Sequence, residues 1–570
     1  MRDYFSHWRT IFWQKQTFYL LFVLVIVFAA LFRLYKLGEI PAGFSWDEAA
    51  IGYNGSAIWE TRRDEWLIRL PVSFKSFGDF KAPLAIYING VFTAVLGMHV
   101  WVVRLPFALA GIFTVMVVML VVYEVFRKIP HRIEIPEIKK FTIAEVIALM
   151  AGVMIATSPW HIHFSRAGFE SGMALAFTVF SVYAWFVSQR KEIREKPIFS
   201  IGLLILAGMS GSFAAYTYHS AKIAVPLLYG VMFLTSRVRL RKRIIAFVIL
   251  CASFVLVSFP LIQDMIYAKG AERFNQTSLF SEYPPVLLPF VIAENLLAHS
   301  SIKFLLLGQT TTLRHGDGKW GVLFVSEWIL IIAMGLGLLY LCRKSIHSKQ
   351  IKEVVRVFLF GLGWIVSGLV PAAIGLEIPH SNRALLSYPG FIILSSLGIF
   401  FILHIWSLIL KNIVFSSWVG RQNIKDTDKL LILKSFVGTL FLIHVFVFLS
   451  YWKDYRTVYA VTSADSFQYG YEEAFKYVIP QEDSVEKILF TSKYGQPYIY
   501  ALFFRQTNPI WYQGGSLIKY EFTDKINSGD LLRKNTIIVA DPDQIDPALG
   551  DSLILAPDGS VRFVLKKTTE

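Results

Sequence analysis

The stretch TFYLLFVLVIVFAALFRL, residues 17–34, decides what kind of fold this chain adopts. It carries no charge before Arg33. A helix crossing a bilayer needs about 20 mostly apolar residues, and this run supplies them. Arg2, Arg9 and Lys15 precede it and no small-residue cleavage site follows. It therefore reads as an anchor with a cytoplasmic N-terminus and not as a signal peptide. Further spans are expected at about 105–126, 141–160, 171–188, 198–216, 221–236, 244–262, 322–341, 355–375, 386–408 and 432–451, about eleven in all. Composition agrees: of 570 residues, 55% are hydrophobic and 17% charged. A soluble domain carries about 25% charged residues. Cys251 and Cys342 both sit in or beside apolar runs, which excludes a disulfide scaffold and any CxxC metal or redox site.

The net charge of +15 would suggest nucleic acid in a soluble protein. Here the basic residues collect at the ends of apolar runs, so they read as topology signals, and no nucleic-acid partner is expected. The clusters are Arg127, Lys128, Arg132, Lys139 and Lys140; Arg190, Lys191, Arg194 and Lys196; Arg237 to Arg243; Arg343, Lys344, Lys349 and Lys352; and Lys411, Arg421, Lys425 and Lys429. Every alternate loop is basic, as the positive-inside rule expects. The apolar segment 83–103 would invert that parity if it spanned, so it is expected to lie in the outer interface. The loops 36–104, 263–321 and 376–385 then fall outside, as does the long segment 452–570. That last segment alternates a helix-like pattern (466–478) with strand-like runs at 487–490, 536–540 and 562–565. The expected architecture is an all-α polytopic membrane domain over 1–451 with a small external α/β domain over 452–570.

Polar residues gather on the expected outer side. Phe44-Ser45-Trp46-Asp47-Glu48-Ala49 places two adjacent carboxylates just after the first span. Such a pair suits a general base with an acidic neighbour. Ser45 and Glu48 also fit a helix capping box, and the two readings are compatible. Lys81 stands ahead of Pro83 at a helix start, where a cation suits a phosphate headgroup; a snorkelling interfacial lysine is the plainer alternative. Ser158 to Glu170 joins two spans and holds His161 and His163, whose i, i+2 spacing is not a helical zinc pattern. Arg166 and Glu170, at i, i+4, are candidates to pair on one helix face. Tyr216 to Lys222, Leu313-Arg314-His315 and Pro379-His380-Ser381-Asn382-Arg383-Ala384 complete the set. Asp47, Glu48 and Glu170 thus face Lys81, Lys222, Arg314, His315, His380 and Arg383 at one depth. That suits a lipid-linked phosphate substrate and a hydroxyl that must lose a proton.

The order of these motifs resembles the integral-membrane glycosyltransferases of the GT-C type, nearest the protein O-mannosyltransferases and the aminoarabinose-to-lipid-A transferases. The matching pieces are Trp46 to Ala49, Lys81 to Leu84, Arg104 to Gly111, Ser158 to Glu170, Tyr216 to Lys222, Arg314-His315 and Pro379 to Ala384, across roughly residues 17–450. The resemblance implies helices lying along the membrane in the first external loop. It implies inverting transfer of one sugar from a polyprenyl-phosphate carrier to an acceptor hydroxyl outside the cytoplasm. Asp47 matches the catalytic aspartate, Glu48 its acidic neighbour, and Glu170 stands where many members have Asp. Lys81, Arg314, His315, His380 and Arg383 match the donor-phosphate side, with Lys222 beside them; Ala82 replaces a usual Pro. The motif set looks like the metal-independent members, so neither metal nor other cofactor is expected. Expected partners are the lipid-linked donor, membrane lipid, and a protein, lipid or glycan acceptor. A polysaccharide polymerase or ligase of similar topology would use the same phosphate logic. A transporter would need charges lining a path within the spans, which are almost free of them.

Overall fold

The computed structural model describes residues 2–129, 141–267, 272–342, 349–418, 424–512 and 517–569. The helices in chain order are α1 Arg2–Leu34, α2 Trp46–Thr61, α3 Leu84–Leu96, α4 Val100–Phe126, α5 Ile143–Thr157, α6 Pro159–Arg166, α7 Glu170–Ser188, α8 Lys191–Arg194, α9 Pro197–Thr217 and α10 Ala221–Thr235. They continue with α11 Leu240–Tyr267, α12 Glu272–Thr277, α13 Leu288–His299, α14 Ile302–Leu306, α15 Val325–Cys342, α16 Lys349–Ala373, α17 Ser381–Ala384, α18 Tyr388–Trp418 and α19 Ile424–Asp454. Every expected span is helical. Among the described residues, eight helices are long and apolar enough to cross a membrane, and α5 with α6 make a ninth if that pair, bent by 57°, is one span. α10 and α15 are shorter apolar helices. The chain is a polytopic membrane protein.

The segment 83–103 is broken. α3 has 13 residues, and Gly97 at φ 82° ends it before α4 begins at Val100. At 1.5 Å per residue α3 is about 20 Å long, short of the roughly 30 Å hydrocarbon core. It packs on α2 instead, where the α2 backbone at Gly55 meets that of Gly90 closely enough to exclude any Cβ.

Two cores organise the molecule. The spans share one, in which small residues bring helices together: Gly111 stands against Ser165, and Gly208 against Ser253. The second joins the first loop to the C-terminal segment, combining Phe44, Ile51, Tyr53, Val103 and Phe107 with Phe475, Tyr500, Phe503 and Phe563. The C-terminal part therefore packs its apolar face directly on α2, α3 and the start of α4. Its five-stranded sheet has the order β4-β3-β5-β7-β6, with β3 Lys487–Thr491, β4 Tyr520–Thr523, β5 Thr536–Ala540, β6 Ser552–Leu555 and β7 Val561–Lys567. β3 runs parallel to β4 and β5, while β7 is antiparallel to β5 and β6. β5 alternates as a strand buried on both faces must: Ile537 and Val539 point into the shared core, Ile538 and Ala540 to the opposite face. A short hairpin, β1 Phe74–Ser76 with β2 Asp79–Lys81, sits between α2 and α3.

The basic clusters that are described gather at the far end of the bundle from the sheet. Arg127 follows the last turn of α4, Arg190 that of α7, and Arg237 to Arg243 the junction of α10 and α11. Arg132, Lys139, Lys140, Arg343, Lys344 and Arg421 lie outside the described residues.

Candidate active site

The capping box expected at Ser45 is present, with the Ser45 side chain accepting from the Glu48 amide and Glu48 accepting from the Ser45 amide. It fixes Asp47 in the first turn of α2. Glu48 is held from every side. Arg104 donates to it through Nε at 2.8 Å and Nη2 at 3.2 Å, and the Gly168 amide donates at 3.0 Å. Gly168 must be glycine for this approach, since a Cβ there would stand 2.8 Å from Glu48 Cγ. Arg104 uses its remaining donors on the carbonyls of Leu37, Pro41 and Gly43. Burial alone would raise the Glu48 carboxyl; the Arg104 guanidinium and the two amides outweigh it and hold it below the usual carboxylate range. Glu48 therefore anchors the loop behind Asp47 and does not line a cavity.

Asp47 points the other way. Lys81 donates to its Oδ1 and Arg314 to its Oδ2. Burial would raise Asp47 as well, but these two cations dominate and hold it well below the ordinary value, so it is a carboxylate at neutral pH. Lys81 arrives at the end of β2, paired in register with Phe74. The turn residues Phe77 and Gly78 both have positive φ, the geometry of a tight two-residue hairpin. Arg314 arrives from the long loop before α15. Its carbonyl accepts from His163 Nε2 at 2.9 Å, the Leu313 carbonyl accepts from Tyr459 at 2.6 Å, and its ring neighbour is Phe169.

Asp47, Lys81, Glu170, Arg314, His315, His380 and Arg383 line one cavity of about 250 Å³. Seven of the nine residues expected at the site are thus brought together from five separate segments. Glu48 stands behind the cavity, and Lys222 does not line it, its ammonium lying 3.2 Å from Nδ1 of the lining residue His219. Three nitrogens around the cavity are buried without a hydrogen-bond partner: Arg314 Nε, His315 Nδ1 and Arg383 Nη1. A buried donor left unpaired is costly unless a ligand takes it up. The histidines are not the cations the sequence suggested. Burial, then His380 and Arg314, push His315 well below its ordinary value, and burial outweighs Glu377 at His380. Both rings are neutral at neutral pH and lie 4.4 Å apart between centroids. Arg166 and Glu170 do not share a helix face, because α6 ends at Arg166 and α7 begins at Glu170. Arg166 instead donates to the carbonyls of Phe32, Tyr35 and Ile40.

Other lining residues escaped the sequence reading as individuals. Tyr218, His219 and Asn382 belong to motifs already marked and Glu377 to the loop 376–385, but nothing in their spacing shows which side chain turns inward. Phe169 and Thr277 carry no signal of their own. Arg104, buried 56 positions from its partner Glu48, could have been suspected only from an arginine at the head of a span. A second, smaller cavity of about 70 Å³ adjoins the first, sharing Tyr218, His219, Thr277 and Arg383 and adding the apolar Ile223, Phe274, Pro371 and Ile374. Among the described residues, no group of three or more His, Cys, Asp or Glu is arranged to hold a metal ion.

No family model matches the sequence, and no curated protein matches it. Solved structures do. The archaeal oligosaccharyltransferase AglB from Archaeoglobus fulgidus, in complex with an inhibitory peptide and a dolichol-phosphate, aligns over 96% of this chain and 74% of its own, with TM-score 0.50 and 11% identity. ArnT from Cupriavidus metallidurans bound to undecaprenyl phosphate aligns over 95% of this chain and 97% of its own, with TM-score 0.49 and 13% identity. The S. cerevisiae protein O-mannosyltransferase Pmt1-Pmt2 complex bound to the sugar donor covers 45% of this chain and 35% of its own, with TM-score 0.31 and 15% identity. At 11% identity the likeness to the oligosaccharyltransferase is one of fold alone: the chain has the GT-C fold.

Proposed function

We propose that this chain is an inverting glycosyltransferase that moves a single sugar from a polyprenyl-phosphate carrier to an acceptor hydroxyl on the extracytoplasmic face of the membrane. The observation that carries this reading is the pair of buried, unpartnered guanidinium nitrogens, Arg314 Nε and Arg383 Nη1, in the cavity that also holds the Asp47 carboxylate. A phosphate would take up those donors, and the adjoining apolar cleft suits the first isoprenoid units of its tail. The dolichol-phosphate in the AglB complex is in keeping with such a ligand. The basic loops at the opposite end of the bundle favour placing this cavity outside.

The chemistry follows. The acceptor oxygen attacks the anomeric carbon from the face opposite the phosphate. The carbon–oxygen bond to phosphate breaks, its electron pair stays on the phosphate, and the hydroxyl proton passes to Asp47. Each carboxylate oxygen of Asp47 keeps acceptor capacity beside its cation. Asp47 is a weak base, but the hydroxyl becomes strongly acidic as its oxygen bonds to the anomeric carbon, so late proton transfer suffices. Charge developing on the phosphate meets Arg314, Arg383 and the neutral histidines in a poorly hydrated pocket; one such donor is typically worth about 10²–10³ in rate. No metal is needed in this scheme, because Lys81 and Arg314 already neutralise Asp47 and would repel a divalent cation.

Purified chain in lipid, offered polyprenyl-phosphate mannose, glucose and arabinose, should release polyprenyl phosphate, and Asp47→Asn should not. Equal turnover in both would remove Asp47 from the mechanism. Folded wild-type protein inert with every single-sugar donor would favour a polymerase or ligase acting on a longer lipid-linked glycan.

A further inference from the structure

A second large cavity lies at the other end of the bundle. α7 runs between the two sites: Glu170 at its start lines the Asp47 cavity, and Arg190, just past its end, lines this one. Twenty residues at 1.5 Å each separate them by about 30 Å, the thickness of a bilayer core. The cavity holds about 430 Å³ between the ends of α4 and α7 and the junction of α10 with α11.

Its charge is one-sided. Seven arginines and lysines line it against the single carboxylate of Glu124. Glu124 is already shared, accepting from both Arg127 and Arg190. Arg237 is committed to Glu353 at 2.6 Å. Lys128, Arg194, Arg239 and Lys242 have no carboxylate within ion-pair distance among the described residues; the acids nearby are Glu353, held by Arg237 and Arg356, and the exposed Glu192. Burial and the neighbouring Arg127 and Arg237 pull the Lys128 ammonium below its ordinary value, more than Glu124 and Glu192 raise it. A second, independent sign is that the Nε donors of Arg190 and Arg194 are buried with no hydrogen-bond partner. Finally, exposed apolar side chains stand on the helices around the cavity: Ile198 and Phe199 at the start of α9, Leu234 at the end of α10 and Leu240 at the start of α11.

We propose that this cavity binds a phosphate-bearing anion of the kind an anionic phospholipid presents, with its acyl chains along α9 to α11. Basic pockets between transmembrane helices recognise phospholipid headgroups through this combination of clustered cations and an adjoining lipid-facing surface. Arginine forks supply paired donors for phosphate oxygens. The site is independent of the sugar-transfer reading, because no residue of it touches the Asp47 cavity.

The test is a titration of the full chain, in neutral detergent, with fluorescent phosphatidylglycerol. Binding should saturate at one site and be displaced by unlabelled phosphatidylglycerol but not by phosphatidylcholine. Lys128→Gln with Arg194→Gln should weaken it about 25-fold, as expected for loss of two surface cations. A control pair at the sheet, Lys525→Gln with Lys534→Gln, should leave it unchanged. If the double variant is not folded by its thermal midpoint, the exposed Lys242→Gln gives the same test with about a fivefold loss. Displacement by inorganic phosphate as effective as by the lipid would support the anion site and name a soluble phosphate compound as its occupant. Binding that does not saturate, displacement by phosphatidylcholine, or equal loss in the control pair would overturn the proposal.

Discussion

Asp47 and Glu48 are adjacent in sequence and opposite in environment. Glu48 is closed in by Arg104, Ser45 and Gly168, whereas Asp47 keeps one face to a cavity between two cations. Replacement of Asp47 by Asn should lower kcat by about 10²–10⁴, the usual worth of a positioned base, with little change in donor binding. Its pH dependence is specific. Asp47 is held below the ordinary carboxylate range, so its ionised form persists as pH falls and kcat/KM should show no acid limb from it near pH 4 to 7. Arg314→Gln removes one of the two opposing cations and leaves burial less opposed, so an acid limb should move up into that range. A different carboxyl reports on stability. Glu65, buried beside Asn54, is raised by burial to about 7. Its folded value lies above its unfolded one, so its stability contribution is full below about pH 4.5 and is lost as pH rises to about 7. That swing is about 3 kcal/mol. Glu65→Gln should flatten the corresponding fall in thermal midpoint between pH 5 and 8.

At the scale of elements, the site depends on chain segments meeting at short range. The turn after α16 brings Gly375 so close to Arg383 that a Cβ would collide with Nη1 of the guanidinium. Gly375→Ala should therefore displace Arg383 and lower kcat/KM for the lipid-linked donor by about 10²-fold or more, the worth of one donor to the charge developing on the phosphate, in steady-state transfer assays. The junction of α2 with α4 is tied by Arg104, which is wholly buried. Arg104→Met leaves Glu48 charged and unpaired inside the protein, which costs about 3–5 kcal/mol. Thermal denaturation in detergent should show that loss directly.

On the scale of the molecule, the C-terminal segment is not an appendage. The Tyr500 hydroxyl donates to the Phe44 carbonyl at 2.8 Å, and Gly495 lies so close to Trp46 that no side chain fits between them. Together with the shared core, these contacts make the sheet the lid of the loop that carries Asp47. A chain ending at residue 451 would expose Phe44, Ile51, Tyr53 and Phe107. Exposure of a contiguous apolar patch of that kind leads to aggregation. Such a truncation should fail to give a monodisperse peak on size exclusion, where the full chain does.

The spans and the strands at 487–490, 536–540 and 562–565 were legible in the sequence, because apolar length and alternation are local properties of a chain; charge parity kept 83–103 out of the spans but did not show its break at Gly97. Seven of the nine residues marked beside the outer ends of apolar runs share the cavity, and Glu48 and Lys222 do not line it. What only the tertiary structure decided is the division of labour among those residues. Glu48 is an anchor and Asp47 faces the cavity because of Arg104 and Gly168, partners 56 and 120 positions away. The histidines are neutral because the fold buries them beside arginines, and the C-terminal sheet closes over the first loop because both present apolar faces to each other. Neither charge state nor cover is a property of a stretch of sequence; both are set by what the fold brings alongside it.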